Sequence, residues 1–418
     1  MSQITDDCFA FGGPLMRAAE ALELIRVRTP AVTGPDTRPL ADAAGHVLAE
    51  DITALSASPP QDNAAVDGYA FRGTDLDPEA ETALTLRGRA AAGHPEARLL
   101  EPGEAARIFT GAAMPRGADT VVMQEDVTLA EGRVVVPAGL KSGANRRRAG
   151  EDVAAGQALL KGGVRLGPAE LALAAAGGIA HLPVRARPRV ALLSTGDEIR
   201  PAGSPLDHGD VHDANAPMLM ALLRRIGIEA HHHGIVADSP SAVREALERA
   251  AEGADLVITS GGASTGDEDH VRDAVGALGA VHLWRLAIKP GRPLAFGHVR
   301  GTAFVGLPGN PVAVMVCFLM FVRPLLDRLE GAETTPLRRW PVTAGFEMRS
   351  KADRLEWLRG TLRQGENDEM IADRHPRQGS GIIHSLTASD GLIEIPEATT
   401  AVRPGDRLGF ISFREALS

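Results

Sequence analysis

Three short apolar segments constrain the fold more than any other feature of this sequence. None of them alternates apolar with polar residues, and they are VALLST at 190–195, DLVITS at 255–260 and AFVGLP at 303–308. Such runs are typical of strands that are buried on both faces in a parallel sheet. Helical stretches lie between or after them, at 217–226, 241–252 and 312–329. This order predicts a three-layer α/β domain over residues 188–331.

Two helical segments lie outside that domain. Apolar residues recur at helical spacing over 14–28, and an Ala-rich stretch at 167–177 starts next to a proline and ends at a glycine, as helices often do. We assign both to a helical linking domain made of residues 1–50 and 153–187. This domain is therefore predicted to be split by an insertion.

The two remaining regions are predicted to be rich in β-structure. Residues 51–152 and 332–418 contain short Val, Ile and Leu clusters separated by Gly, Pro and Asp, the pattern of small β domains. In the second region, strands are expected at 382–384 and 392–395. A chain of 418 residues exceeds what a single core usually supports, which agrees with several domains.

Composition narrows the class of function. Asp and Glu outnumber Lys and Arg by 54 to 44, for a formal net charge of −10, which argues against nucleic acid as the main partner. No apolar run reaches the about 18 to 20 residues that cross a bilayer, and the N-terminus lacks a secretory signal. A cytoplasmic protein without a membrane partner is expected. Only Cys8 and Cys317 are present, so we expect neither disulfides nor a cysteine metal site.

Each predicted strand of the α/β domain runs into a loop rich in glycine and polar residues. These loops are STGDEI at 194–199, SGGASTGDED at 260–269 and GLPGNP at 306–311. Ligands bind beyond the carboxyl ends of strands in such sheets, and glycine lets backbone N–H groups approach an oxyanion. We predict a phosphate site, although no loop has the spacing of a P-loop or dinucleotide motif. The candidate substrate-binding residues are Ser194, Thr195, Gly196, Ser260, Gly261, Gly262, Ser264, Pro308, Gly309 and Asn310.

The same loops carry carboxylates that would repel phosphate. Mg²⁺ reconciles the two, because it is commonly held by one or two carboxylates together with phosphate oxygens. Glu198 and Asp269 are the candidate metal ligands. The alternative is that the acids only cap the following helices, and for Asp267 and Glu268 capping explains the residue type at least as well.

A basic segment follows further along the chain. WRLAIKPGRP holds Arg285, Lys289 and Arg292. If this segment is extended, Arg285 and Lys289 share a face and are suited to a polyanion; the alternative is a solvated strand edge. His231 and His233 are predicted to be ordinary strand residues, since no Cys or acidic partner is near in sequence.

The first β-rich region contains two conspicuous stretches, SPPQDNAAVDGYAF at 58–71 and RIFTGAAMPRGADTVVMQED at 107–126. Both are dense in turn-forming residues. On physical grounds alone, their acids and amides are Asx-turn residues between strands. These residues are Asp62, Asn63, Asp67 and Asp119.

With these residues the chain resembles the MoeA family, whose relatives include the E domains of gephyrin and of plant Cnx proteins. The resemblance covers nearly the whole chain and rests on DNAAVDGYA, IFTGAAMPRGADTVVMQED, GANRRRAGED, STGDE, SGGASTGDED, AIKPGRP, GLPGNPV, RGTL and RQGSG. It implies a linking domain, an inserted β domain, a MogA-like α/β domain and a C-terminal β-barrel-like domain. It also implies a homodimer whose cleft combines the α/β domain of one subunit with the β domain of the other.

The resemblance further implies a reaction. Adenylylated molybdopterin and molybdate, with Mg²⁺, would give molybdenum cofactor and AMP, the reaction of a molybdopterin molybdenumtransferase. The implied catalytic residues are Asp62, Glu198, Asp269 and Lys289. The implied substrate-binding residues are Thr110, Asp238, Arg359 and Ser380, and we add Arg285 and Arg292 to this set. The chain departs from the family at Arg285, where some members have lysine, and at Ala263, where valine is common.

Two other functions stay open. A MogA-like adenylyltransferase would have a similar α/β domain, but the additional β domains favour the transferase. A scaffold or partner-binding protein of the same fold is the second alternative, which the intact acids and Lys289 disfavour. A MogA-like adenylyltransferase and molybdoenzyme maturation proteins are candidate partners.

Overall fold

One six-stranded sheet forms the centre of the α/β domain in the computed structural model, which describes residues 15–261 and 270–417 apart from the side chains of Leu283 and Asn367. From one edge to the other, the strands are Ala230–Val236, Val190–Thr195, Leu256–Ser260, Thr302–Leu307, Pro293–Val299 and Gly279–Arg285. Pairings among the first four are parallel and the last two pairings are antiparallel. The three apolar runs are neighbouring strands, as the α/β prediction requires.

Helices cover both faces of this sheet. They are Asn215–Arg225, Pro240–Ala251, His270–Leu278, Pro311–Cys317 and Arg323–Glu330, and a π-helical turn at Phe318–Val322 joins the last two. Leu192 and Ile258 face one core, while Leu193 and Val257 face the other, which explains why these strands do not alternate in polarity. Within the described ranges, no helix is both long and apolar enough to cross a membrane.

The linking region contains two helices, Ala18–Arg28 and Pro168–Ala176, which overlap the predicted ones. Two short antiparallel pairs accompany them. Their strands are Pro35–Pro39 with His181–Arg185, and Ile52–Thr53 with Ala158–Leu160. Segments that precede and follow the sheet of the inserted domain therefore pair with each other. The residue limits given above for the four domains stay predictions.

The inserted domain is rich in β-structure, as predicted. Its six-stranded sheet has the order Thr120–Met123, Gly68–Phe71, Glu104–Ile108, Thr82–Ala90, Arg133–Val136 and Thr128–Ala130. A separate short pair is formed by Asn63–Ala64 and Arg146–Arg147. Aromatic and aliphatic residues such as Phe71 and Val134 fill the core on one face of the sheet.

Five C-terminal strands close into a barrel, because the strand Leu355–Gln364 pairs with neighbours on both sides. Around the ring the strands are Leu355–Gln364, Met370–Arg374, Trp340–Ala344, Arg407–Ser412 and Gly391–Ile395. The strand expected at 392–395 is confirmed. The strand expected at 382–384 is wrong: Ile382 and Ile383 lie in a turn, and His384 begins the short helix His384–Thr387. Ser385 closes the turn by donating its N–H and hydroxyl to the carbonyl of Ile382.

The basic segment is not one continuous strand. Arg285 ends a strand of the α/β sheet, whereas Lys289 lies in a two-residue strand, Ile288–Lys289, that pairs with the barrel. Gly291 then has a φ of +94°, and a Cβ at this position would overlap the sulfur of buried Cys317. The turn therefore packs tightly against the buried helix, and Arg285 and Lys289 do not share a strand face.

A buried ion cluster joins the linking region to the last helix of the α/β domain. Glu330 is fully buried. It accepts a hydrogen bond from Arg165 at 2.8 Å and lies 3.4 Å from the guanidinium of Arg187. Arg165 also donates to Asp327 at 2.8 Å. Because a buried charge without a partner is costly, each member of the cluster depends on the others.

We predict that Glu330→Ala lowers the free energy of unfolding by about 3–5 kcal/mol, since two arginines lose their buried partner. Chemical denaturation followed by circular dichroism measures this change. The matched control is Glu23→Ala, which removes an exposed pair with Arg26 and should change the free energy of unfolding far less, because solvent screens such pairs. Equal losses in the two variants would contradict the role assigned to the cluster.

Candidate active site

Three loops meet at one edge of the α/β sheet because their strands end in register. Ser194 pairs with Ser260, and Ser260 pairs with Leu307. The loops contact each other directly after the strands end. Thr195 donates its hydroxyl to the carbonyl of Ser260 at 3.5 Å. Gly261 donates its N–H to the carbonyl of Leu307 at 3.1 Å. The described parts of the three predicted loops are therefore together.

The first loop holds an exposed carboxylate. Gly196 has a φ of +137°, and a Cβ at this position would lie 2.6 Å from Glu198 Oε2, so glycine lets the carboxylate fold back over the loop. Asp197 Oδ1 accepts the backbone N–H of Asp238 at 2.9 Å. Glu198 and Asp238 are thereby held on neighbouring loops, and both are exposed.

Ser194 is a buried part of the framework, 2% exposed. Its hydroxyl donates to Asp213 Oδ2 at 2.5 Å and lies 3.3 Å from His232 Nε2. Asp213 Oδ1 accepts the backbone N–H groups of Asn215 and Ala216, both at 3.0 Å, at the start of the helix Asn215–Arg225. In this arrangement Ser194 has no hydroxyl proton left for a ligand.

Asn215 fastens the second loop to the third. Its Nδ2 donates to Ser260 Oγ and to the carbonyl of Gly309, both at 2.8 Å. A carbonyl can only accept, so the contact with Gly309 fixes the orientation of the amide. Ser260 is the acceptor of its bond with Asn215, and no acceptor for the Ser260 proton is found in the described ranges. This hydroxyl can therefore donate to an oxyanion.

Part of the predicted site lies outside the described residues. The residues concerned are Gly262, Ser264, Asp267, Glu268 and Asp269. Among the residues that are described, no three His, Cys, Asp or Glu side chains gather as a metal site. The carboxylate of Glu198 has no hydrogen-bond or ion-pair partner there, and it is the hard oxygen donor that Mg²⁺ prefers. The donor chemistry fits a cation that phosphate oxygens also hold.

Lys289 lies where the α/β domain meets the barrel. Its Nζ donates to Glu356 Oε2 at 3.1 Å, and Glu356 also accepts bonds from Ser350 and Arg354. Burial raises the pKa of Glu356, but hydrogen bonds from Arg354 and Lys289 outweigh this effect and hold the pKa below its usual value. Lys289 remains 46% exposed, so Glu356 positions the ammonium group without hiding it.

The barrel contributes a buried arginine, Arg359, which is 1% exposed. Its Nε donates to Ser385 Oγ at 2.9 Å and its Nη2 to the carbonyl of Gly379 at 3.0 Å. No carboxylate pairs with it in the described part of the chain, and burial lowers its pKa to about 10. In the same loop, the carbonyl of Ser380 accepts the N–H of Val312 at 3.0 Å. The barrel loop thus contacts the helix that follows GLPGNP.

Four other candidates lie on the segments that meet here. Arg285 and Arg292 are exposed on either side of the basic turn. Asn310 is exposed, and a Cβ on Gly381 of the barrel would lie 3.7 Å from its Oδ1. Pro308 is half-buried in the third loop. The structure therefore groups candidates from the α/β domain with those from the barrel.

Asp62 and Thr110 stand apart from this group. Asp62 accepts the N–H of Ala149 at 2.8 Å and lies 3.5 Å from Arg146. Thr110 donates its hydroxyl to Asp67 at 2.7 Å. Every described hydrogen bond and ion pair of these two side chains stays within the β-rich domain. Contacts inside one subunit therefore do not bring them to the three loops.

Three residues that hold the site in shape were not predicted from the sequence: Asp213, Asn215 and Glu356. The first two carry a usable signal, because Asp and Asn directly before an apolar helical pattern mark a helix start. Glu356 has no such signal in the sequence. Its partner Lys289 is 67 residues away, and one acid within an apolar strand has no pattern that points to it.

Three family models together match most of the chain. The model for the MoeA N-terminal region (domain I and II) matches residues 16–178. The model for a probable molybdopterin binding domain matches residues 191–328. The model for the MoeA C-terminal region (domain IV) matches residues 341–413. They follow one another along the chain without overlap.

Relatives of similar length align with most of the chain. A molybdopterin molybdenumtransferase of Haemophilus influenzae is 35% identical over 90% of this chain and 94% of its own. Molybdopterin molybdenumtransferase 2 of Mycobacterium tuberculosis is 36% identical over 90% and 94%. The crystal structure of the molybdopterin biosynthesis moeA protein from Pyrococcus horikoshii covers 96% of this chain and 100% of its own, with 31% identity and a TM-score of 0.81. The chain therefore belongs to the MoeA family.

Proposed function

We propose that this chain is a molybdopterin molybdenumtransferase, an enzyme of molybdenum cofactor biosynthesis. Relatives that bear this name align with 90% of the chain. Its proposed substrates are adenylylated molybdopterin and molybdate, and its proposed products are the molybdenum cofactor and AMP. The cytoplasmic location and the protein partners named above stay predictions.

The junction of the barrel with the α/β domain is the observation that carries this proposal. Glu356 of the barrel holds Lys289 at 3.1 Å, and the barrel loop of Ser380 contacts Val312 at 3.0 Å. A MogA-like adenylyltransferase needs the α/β domain alone, whereas here charged groups of a second domain reach its loops. Arg359 is a buried cation without a carboxylate partner in the described ranges, which favours an anion-binding site over a scaffold. The geometry favours a transferase.

The proposed site has one side for oxyanions and one for a cation. Lys289, Arg359 and the hydroxyl of Ser260 form the first side, where donors and positive charge held in advance stabilise negative charge that develops during reaction. Glu198 and Asp269 form the second side as ligands of Mg²⁺, which when bound would offset the charge of the phosphoanhydride. The other proposed substrate-binding residues are Thr110, Thr195, Gly196, Asp238, Gly261, Gly262, Ser264, Arg285, Arg292, Pro308, Gly309, Asn310 and Ser380. Ser194, predicted from the sequence to bind substrate, would instead support the first loop through its bond to Asp213.

We further propose a homodimer in which Asp62 and Thr110 complete the cleft of the other subunit. Two observations support it: their side-chain contacts stay within the β-rich domain, and Thr110 is exposed. In a two-fold dimer the two clefts are equivalent, so each would draw on both chains.

Release of AMP tests the proposed function directly. The purified protein is mixed with adenylylated molybdopterin, molybdate and MgCl₂, and AMP is quantified by chromatography. We expect release well above the protein-free rate only when molybdate and MgCl₂ are both present. Release no faster than in the protein-free mixture would contradict the proposal.

Lys289→Ala should raise the molybdate concentration for half-maximal rate about tenfold, which corresponds to about 1.4 kcal/mol of lost charge interaction. Glu356 keeps its bonds from Ser350 and Arg354, so thermal unfolding should change little. The control is Lys161→Ala, an exposed lysine of the linking region. An unchanged molybdate dependence in a normally folded Lys289→Ala variant would assign this lysine to the solvated surface.

Asp269→Asn should retain most of the binding of adenylylated molybdopterin but lose most AMP release, because the amide keeps the shape and loses the charge that a cation needs. The MgCl₂ concentration for half-maximal rate should rise, and added MgCl₂ should rescue the rate only in part. Asp36→Asn is the control, an exposed acid paired with Arg38. If Asp269→Asn leaves the MgCl₂ dependence untouched, Asp269 is a helix cap.

Mixed dimers test whether the two subunits share the cleft. Asp62→Ala and Asp269→Ala homodimers should both be nearly inactive, because each cleft needs one residue from each chain. When the two variants are co-expressed equally and exchange freely, about half of the dimers are mixed and carry one intact cleft of two. Activity should recover to about a quarter of wild type on that two-fold arithmetic. A cleft built within one chain would keep one defect in every site, and mixing would restore nothing.

A further inference from the structure

Thr110 and Asp67 form a pair whose geometry is fixed by the sheet of the β-rich domain. Asp67 directly precedes the strand Gly68–Phe71, and Thr110 follows the strand Glu104–Ile108. These strands are paired, with Gly68 opposite Ile108. Asp67 Oδ1 accepts both the backbone N–H of Thr110 at 2.8 Å and its hydroxyl at 2.7 Å. The side chain of Thr110 is thereby held by its neighbour in the fold.

The direction of the hydroxyl bond follows from the charge of Asp67. The backbone N–H of Thr110 and then its hydroxyl lower the pKa of Asp67, and the nearby charge of Arg107 adds to the effect. An ionised carboxylate can only accept, so the single hydroxyl proton of Thr110 points to Asp67. The lone pairs of the exposed hydroxyl remain available to accept a hydrogen bond. Toward any ligand, Thr110 is an acceptor.

Arg107 is held so that it does not displace Thr110 from the carboxylate. Its guanidinium donates to the carbonyl of Gly68 at 3.1 Å and hydrogen-bonds with Gln124. It also stacks 5.0 Å from the ring of Tyr69 and 4.9 Å from that of Phe109. The charge of Arg107 therefore acts on Asp67 without replacing the hydroxyl bond.

We propose that Asp67 is a positioning residue that makes Thr110 a hydrogen-bond acceptor in the cleft, so that Thr110 binds an N–H or O–H donor and not an oxyanion. This inference rests on the proposed function, in which Thr110 contacts the reactants. Phosphate and molybdate oxygens bring no proton to such a bond. Two donors are available: the amino and ring N–H groups of the pterin nucleotide, and water bound to the divalent cation.

Steady-state kinetics of the 418-residue chain separate these cases. Adenylylated molybdopterin, molybdate and MgCl₂ are varied one at a time for wild type, Thr110→Val, Thr110→Ser and Asp67→Ala. Thr110→Val should raise the half-saturating concentration of one of the three reactants about tenfold, the effect of losing one hydrogen bond. Thr110→Ser should restore the wild-type concentration. A shift for the pterin nucleotide at saturating MgCl₂ identifies the pterin donors, and a shift in the MgCl₂ dependence identifies metal-bound water.

The molybdate dependence should stay unchanged in both Thr110 variants. A rise in half-saturating molybdate alone would show that Thr110 donates to an oxyanion, and the proposal would fall. Asp67→Ala, which removes the acceptor of the Thr110 hydroxyl, should shift the same parameter as Thr110→Val, and the double variant should be no worse than Thr110→Val, since coupled residues are not additive. Additive losses would assign Asp67 a separate role. The matched control is Thr343→Val, which removes a hydroxyl that donates to Glu369 at 3.0 Å and should shift none of the three dependences.

A second measurement does not depend on turnover. The pKa of Asp67, followed by nuclear magnetic resonance with labelled aspartate, should rise in Thr110→Val and stay low in Thr110→Ser. The rise should be partial, because the backbone N–H of residue 110, the larger cause of the lowered pKa, still donates in Thr110→Val. An unchanged pKa in Thr110→Val would overturn the assigned bond direction. If wild type releases no AMP, the proposed function fails, whereas this titration still decides whether Asp67 orients Thr110.

Discussion

The site depends on one constraint: three neighbouring strands of the α/β sheet end in register. Ser194, Ser260 and Leu307 lie side by side across the sheet. A slip of one residue in any of these strands would turn its side chains to the opposite face and move its loop out of the site. The two cores that flank the sheet prevent this, because aliphatic residues on both faces of each strand are buried. Burial of apolar residues thus positions loops that are themselves polar.

Neighbouring side chains then decide what each hydroxyl can do. Ser194 gives its proton to Asp213, which makes it part of the framework. Ser260 accepts a bond from Asn215, so its own proton can serve an oxyanion. Thr110 gives its proton to a carboxylate and keeps only acceptor capacity. Residues of the same chemical type therefore differ in function because of the partner that folding places beside them.

Strands and helices whose apolar pattern reflects burial could be predicted from the sequence. Contacts between residues that are far apart in the sequence could not. The strand Val190–Thr195 and the buried helix from Val312 follow from local apolar patterns, since periodicity reflects which faces are covered. The pair Ile382 and Ile383 resembled a strand, but a hydrogen-bonded turn at Ser385 prevailed. Asp62, Thr110, Arg359 and Ser380 were selected only by family resemblance, because no local pattern distinguishes them from turn or barrel residues. The partner of Lys289 depends on the barrel closing, which no short stretch encodes.

Charge compensation distinguishes the buried ions that hold the fold from those suited to bind substrate. Glu330 is matched by Arg165 and Arg187, so its cluster is complete without a ligand. At the barrel junction the balance is different. Glu356 is shared by two cations, Lys289 and Arg354, and Arg359 has no carboxylate partner in the described ranges. Positive charge is thus in excess there although the whole chain carries a net charge of −10. Because buried charge without a counter-ion is costly, a bound oxyanion would relieve this excess, and binding and local stability at the junction are expected to be coupled.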